Sequence, residues 1–134
     1  MIFVFGSNLA GAHGLGAALI AARQHGAKYG RGNGHHGNSY AIPTKDAKLA
    51  ILPIDRIKGF VDEFIAYAIA HPELAFQITQ IGCGHSKYTA ADMAPMFVAA
   101  PDNCQFDSAW QYYLEGKKFW GTYQNKPAIS RVKE

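Results

Sequence analysis

The sequence predicts an α/β fold with a mainly parallel sheet between helices, and three observations carry that prediction. Short apolar runs alternate with helical periods along the chain. The first run, Ile2 to Phe5, breaks into Gly6-Ser7-Asn8 and a glycine-rich loop before an alanine-rich helix. A later run, Ala75 to Ile81, breaks in the same way into Gly82-Cys83-Gly84 ahead of another helical segment.

Ile2 to Phe5 has no polar residue on either face, which is the pattern of a strand covered on both sides. Leu9 to Gly16 follows as a loop. Ala17 to His25 propagates as a helix, and Gly26 stands where a helix ends. Gly30 to Gly37 reads as a second glycine loop. Ser39 to Ile42 reads as a strand closed by Pro43, and Leu49 to Leu52 is a short apolar run before Pro53. Asp55 to His71 has the clearest helical period. Ile57, Phe60, Val61, Phe64, Ile65, Ala68 and Ile69 fall on one face, and Pro72 follows. Thr89 to Ala100 reads as a helix opened by a capping box, Thr89 with Asp92, although Pro95 lies inside it. Phe106 to Trp120 is aromatic and fits no single period.

The 134 residues suit one domain spanning 1–134. Hydrophobic residues make up 49% and charged residues 17%, a globular balance that excludes global disorder. Nine of the 14 glycines lie between Gly6 and Gly37, a bias local enough to point to a loop function. The net charge of +3 comes from the end of the chain. Lys117, Lys118, Lys126, Arg131 and Lys133 face only Glu134 there, and the tail over 121–134 reads as a solvated, frayed end. The body is close to neutral, so a nucleic-acid groove is not expected, because counterion release needs clustered cations. Two cysteines do not make a disulfide framework. The opening residues read as a buried strand and not as a signal peptide, and no run is long enough to span a membrane. A cytoplasmic protein is the expectation, with its oligomeric state open.

Ligands of open parallel sheets bind beyond the carboxyl ends of strands. Both small-residue loops fall at such ends, so two segments are expected to converge on one crevice. The first offers Ser7, Asn8, Gly11, His13, Gly14, Gly16 and Ala17. Its glycines let backbone N–H groups approach an anion, and the following helix points its positive end there. The spacing is neither a Walker loop nor a dinucleotide fingerprint. The second offers Gly82, Cys83, Gly84, His85, Ser86 and Tyr88. Lys87 and Tyr88 are placed to touch a phosphate or to stack on a ring. Cys83 reads either as a nucleophile activated by a helix N-terminus or as a small shielded thiol, with the second reading preferred. Lys45-Asp46 at a strand end reads as acid–base machinery or an anion contact, or else as a surface ion pair. Six histidines raise the question of a metal, but none shows ligand spacing, so no metal and no cofactor are expected.

Val4-Phe5-Gly6-Ser7-Asn8 with Leu9 to Ala18 resembles the opening of the macrodomain ligand site. Ser39 to Lys45 sits where macrodomains carry their next strand. Ile81-Gly82-Cys83-Gly84 is similar to the second phosphate loop of the branch that removes ADP-ribose from proteins and DNA. The resemblance covers roughly Met1 to Ala100. It implies a three-layer α/β/α sandwich and an ADP-ribose-type small-molecule ligand. Asn8 would then lie by the distal ribose, Gly14, Gly16 and Ala17 by the diphosphate, and Gly82 to Ser86 above it, with His13 facing the same cleft. Three departures accompany the likeness. No earlier strand brings the Asp that binds adenine. Leu15 occupies the position where one hydrolase branch has Asp, and Ser86 the position where the Ile-Gly-Cys-Gly branch has another. Lys45 matches that branch's Lys approximately.

The expected function is therefore binding of ADP-ribose or a related NAD-derived nucleotide. A hydrolase or phosphatase acting on an ADP-ribose derivative is the alternative, with Lys45, Asp46 and His13 as candidate catalytic groups. A third alternative is a ligand-free interaction protein. In it Trp110, Tyr112, Tyr113, Phe119 and Trp120 would form a partner surface; completion of the core is the preferred reading of those aromatics.

Overall fold

The computed structural model describes residues Met1 to Thr122. Six strands form one mixed sheet: β1 (Ile2–Asn8), β2 (Gly34–His36), β3 (Ser39–Lys45), β4 (Phe76–Ile78), β5 (Cys104–Asp107) and β6 (Lys118–Gly121). Their spatial order is β2-β3-β1-β4-β5-β6. Every neighbouring pair is parallel except β2 with β3. The helices are α1 (Gly16–Gln24), α2 (Ile54–Ala70) and the short α3 (Ala90–Met93). The chain is thus an α/β protein with a mostly parallel sheet.

β1 is central because it is apolar on both faces. Ile2 and Val4 enter the larger core with Tyr40, Ile42 and the buried face of α2, whereas Phe3 and Phe5 enter a smaller one with Ala41 and with Ala18 and Ala21 of α1. In α2 the buried residues are Ile57, Val61, Phe64, Ile65 and Ala68, as the period predicts, while Ile69 is exposed. Phe64 meets the rings of Tyr40, Phe76 and Phe97 edge-on. Burying one such side chain contributes about 1.5–3 kcal/mol. Burial, followed by the charge of Glu63 and then Tyr67, pushes the Tyr40 hydroxyl up to about 12.

Several expectations shift. The second glycine loop contains β2, which turns into β3 through Gly37-Asn38, a two-residue hairpin connection. Its three residues are too few to show a period. The apolar run Leu49 to Leu52 contributes an isolated bridge, Ile51 to Lys45. The helix expected over Thr89 to Ala100 stops after Met93 and continues as a 3-10 turn, Ala94–Phe97. Pro95 explains the change, since it brings no backbone N–H and its ring crowds the preceding turn. The capping box forms: the Thr89 hydroxyl accepts from Asp92 N and the Asp92 carboxylate accepts from Thr89 N. The aromatic stretch divides. Trp110 is fully buried in a 3-10 turn after β5, and Phe119 packs on the core. Tyr112 is 87% exposed. Lys126, Arg131 and Lys133 of the basic tail lie outside the described residues. No helix among the described residues is long and apolar enough to cross a membrane.

Candidate functional site

The connections of the sheet create one crevice. The chain leaves β1 for α1 on the Phe3 and Phe5 side, but it leaves both neighbours of β1 for elements on the Val4 side: β3 for α2, and β4 for α3. Loops that part in this way open a cleft at the carboxyl end of the central strand. A cleft of about 330 Å³ lies there. Its walls come from the end of β1 and the following loop, the end of β3, and the loop after β4.

Of the residues expected to bind, Ser7, Asn8, Gly14, Gly16, Ala17, Gly82, Gly84, His85 and Ser86 line this cleft, and so does Lys45. The two glycine loops face each other closely. A Cβ at Gly6 would lie 3.5 Å from Gly82 N, and one at Gly16 would lie 3.8 Å from the His85 ring.

The entrance to α1 brings a helix start into the cleft wall. Its N-cap residue is Leu15, and no side chain caps the helix. The first-turn amides of Gly16, Ala17 and Ala18 therefore have no intrahelical acceptor, and these residues form cleft wall. Their partial positive charge has no acid to answer it, because no Asp or Glu of the described residues lines the cleft. Lys45 adds the one ammonium among the lining residues.

The floor is a hydroxyl tie that joins the ends of β1 and β3 to the loop after β4. Thr44 Oγ1 and Ser86 Oγ are 2.6 Å apart, and Thr44 Oγ1 also reaches Ser7 O at 3.3 Å. Asn8 shapes the first loop. Its Nδ2 donates to Ala12 O at 2.8 Å, and its Oδ1 accepts from Ala12 N at 3.0 Å. The side chain of Asn8 thus closes the turn as well as bordering the cleft.

Other expected residues lie elsewhere. His13 is fully buried, is not in the cleft wall, and places Nε2 against Lys28 O and Arg31 O. Gly11 lies behind the wall and accepts from Gly30 N through its carbonyl. Asp46 closes its own turn, accepting from Lys48 N and Ala50 N at 2.8 and 2.9 Å. Tyr88 donates to Leu52 O at 2.6 Å and packs on the core. Cys83 also packs against the core. Burial raises its thiol; a contact with Trp110 partly opposes the rise, and the smaller effects of the Asp92 and Asp107 charges add to it. That is the reverse of thiolate activation, and α3, with four residues, supplies little dipole to counter it.

Thr44, Thr79, Gln80 and Leu49 are cleft residues that motif reasoning passed over. A positional signal was available for three of them: Thr44 is next to last in β3, and Thr79 and Gln80 directly follow β4. Among the described residues no group of three or more His, Cys, Asp or Glu is placed to hold a metal ion. In comparisons with known proteins, no protein-family model matches the chain, and neither a curated protein nor a solved structure matches it.

Proposed function

We propose that the chain is a macrodomain-like α/β/α protein whose cleft binds ADP-ribose or a related NAD-derived nucleotide through its diphosphate. One observation carries the reading: two glycine-rich loops border one cleft into which the uncapped start of α1 opens, with Lys45 in the wall and no carboxylate among the lining residues. Backbone N–H groups at a helix start bind phosphate oxygens with charge-assisted hydrogen bonds. The cleft hydroxyls of Ser7, Thr44 and Ser86 suit a ribose.

Binding is favoured over hydrolysis. A hydrolase needs a group to accept a proton from water, and the natural candidate, Asp46, is engaged by two backbone amides outside the cleft. The test is calorimetry with ADP-ribose, NAD, ADP and ribose 5-phosphate, on wild type and Lys45→Ala. The expected result is saturable binding of ADP-ribose, weakened at least about tenfold by Lys45→Ala through loss of one charge-assisted bond. Silence across the whole panel at millimolar ligand refutes the reading. Release of ADP-ribose from a modified macromolecule by wild type, abolished by Lys45→Ala, would replace it with the hydrolase.

A further inference from the structure

We propose that His13 is a positioning residue that never meets the ligand: it clasps the anion-binding turn to a second loop, Lys28–Gly32, which sets where the cleft amides stand. The proposal deepens the nucleotide-binding reading and rests on it for the ligand, while the clasp itself is a property of the free protein.

His13 lies inside the glycine turn, and both of its neighbours, Ala12 and Gly14, are cleft wall. Its own ring points away from the cleft and is fully buried. Nε2 is 3.0 Å from Lys28 O and 3.3 Å from Arg31 O. Both partners are carbonyl acceptors, so the ring proton sits on Nε2 and is shared between them. Nδ1 is buried with no hydrogen-bond partner. The ring meets Phe5 edge-on at 5.4 Å and Tyr29 at 5.5 Å. Tyr29 returns the contact, its hydroxyl donating to His13 O at 3.0 Å. Gly30 N donates to Gly11 O at 3.0 Å. Four ties therefore bind two otherwise glycine-rich loops to each other, and three of them involve His13.

Such a clasp answers a physical need. Leu9 to Gly16 contains three glycines, which leave a free loop with many backbone states. Anion-binding amides act only when held within a fraction of an ångström of their working places. Asn8 holds Ala12 through two side-chain bonds, and the Lys28–Gly32 loop holds the next residue through the His13 ring.

The test uses His13→Phe, which keeps a ring against Phe5 and Tyr29 and removes the donor, and His13→Gln, which restores an amide donor. Hydrogen exchange of the amides of residues 9–18 is measured without ligand, and ADP-ribose affinity by calorimetry. The expected result for folded His13→Phe is exchange at least about tenfold faster in that stretch, with α2 amides unchanged. Its ADP-ribose affinity is expected to fall at least about tenfold. His13→Gln is expected to recover much of both, which a merely space-filling residue would not show. Wild-type exchange and affinity in folded His13→Phe would overturn the proposal. If His13→Phe does not fold, Tyr29→Phe removes one tie at a largely exposed residue and is expected to shift both readouts in the same direction; no shift there overturns the proposal equally. Failure of wild type to bind ADP-ribose sinks the functional reading alone, and the exchange data still decide the clasp.

Discussion

Gly32→Ala puts the loop contact behind the cleft to a quantitative test. Gly32 is buried against the first turn, and a Cβ built on it would lie 1.9 Å from Asn8 O and 2.9 Å from the carbonyl carbon. Relief to 3.4 Å, where ordinary contact begins, requires about 1.5 Å of movement (3.4 minus 1.9) of one backbone segment against the other. The atom in the way is a main-chain carbonyl, so no rotamer change avoids it. Overpacking of this kind costs about 1–3 kcal/mol. With an unfolding entropy of about 2.1 cal/mol/K per residue, that lowers Tm by about 4–11 °C. The same shift applied to the cleft amides would stretch a hydrogen bond beyond its range. One or two charge-assisted bonds lost amount to roughly 10- to 100-fold or more in affinity. Scanning calorimetry and titration with ADP-ribose read the two effects. A Tm within about 1 °C of wild type would refute the steric argument. A lowered Tm with wild-type affinity would refute the coupling between that loop and the cleft.

Two further outcomes follow from the packing. Gly59 is an exposed position inside α2 where an added Cβ meets nothing within 4 Å, so Gly59→Ala should stabilise by about 0.5–1 kcal/mol, seen as a higher urea midpoint with unchanged slope. His25 stacks on Phe3 at 4.3 Å and 8°, and burial, followed by the charge of the chain's amino terminus, lowers its pKa. The unfolded chain therefore takes up this proton at higher pH than the folded one. The stability that neutral His25 allows is present above about pH 6.5 and falls as pH drops towards the folded value. His25→Phe should flatten the decline of the urea midpoint below about pH 6.5, and an unchanged decline would refute the assignment.

Where the chain repeats a pattern over several residues, that pattern identifies the fold. β1 and α2 are readable because burial on both faces and burial on one face leave different periods, and both elements are long enough to show them. Gly34–His36 has no such length, and its only local signal is the Gly37-Asn38 turn that follows. Pro95 marked the break in the helix after Thr89, but not that the chain would continue as a 3-10 turn. The site divides in the same way. Glycine enrichment marks the two loops, because few other residues permit those backbones. The Thr44–Ser86 tie joins residues 42 apart, and no local signal pairs them. His13 is the sharpest case. A histidine in a glycine loop reads as a ligand contact, and only its burial and its two carbonyl partners reveal a ring turned to the inside.

The hydroxyl tie beneath the cleft also bears on the order of assembly. It links the ends of β1 and β3 to the loop after β4, and Thr79 reaches Val4 O across 75 positions. Contacts between distant residues in a parallel sheet form late, after long loops have closed. A nascent or partly opened chain can hold α2 against part of the sheet and still have no floor for a ligand. Occupancy of the cleft thus selects the completed molecule, and a ligand that binds there draws the population towards it by mass action.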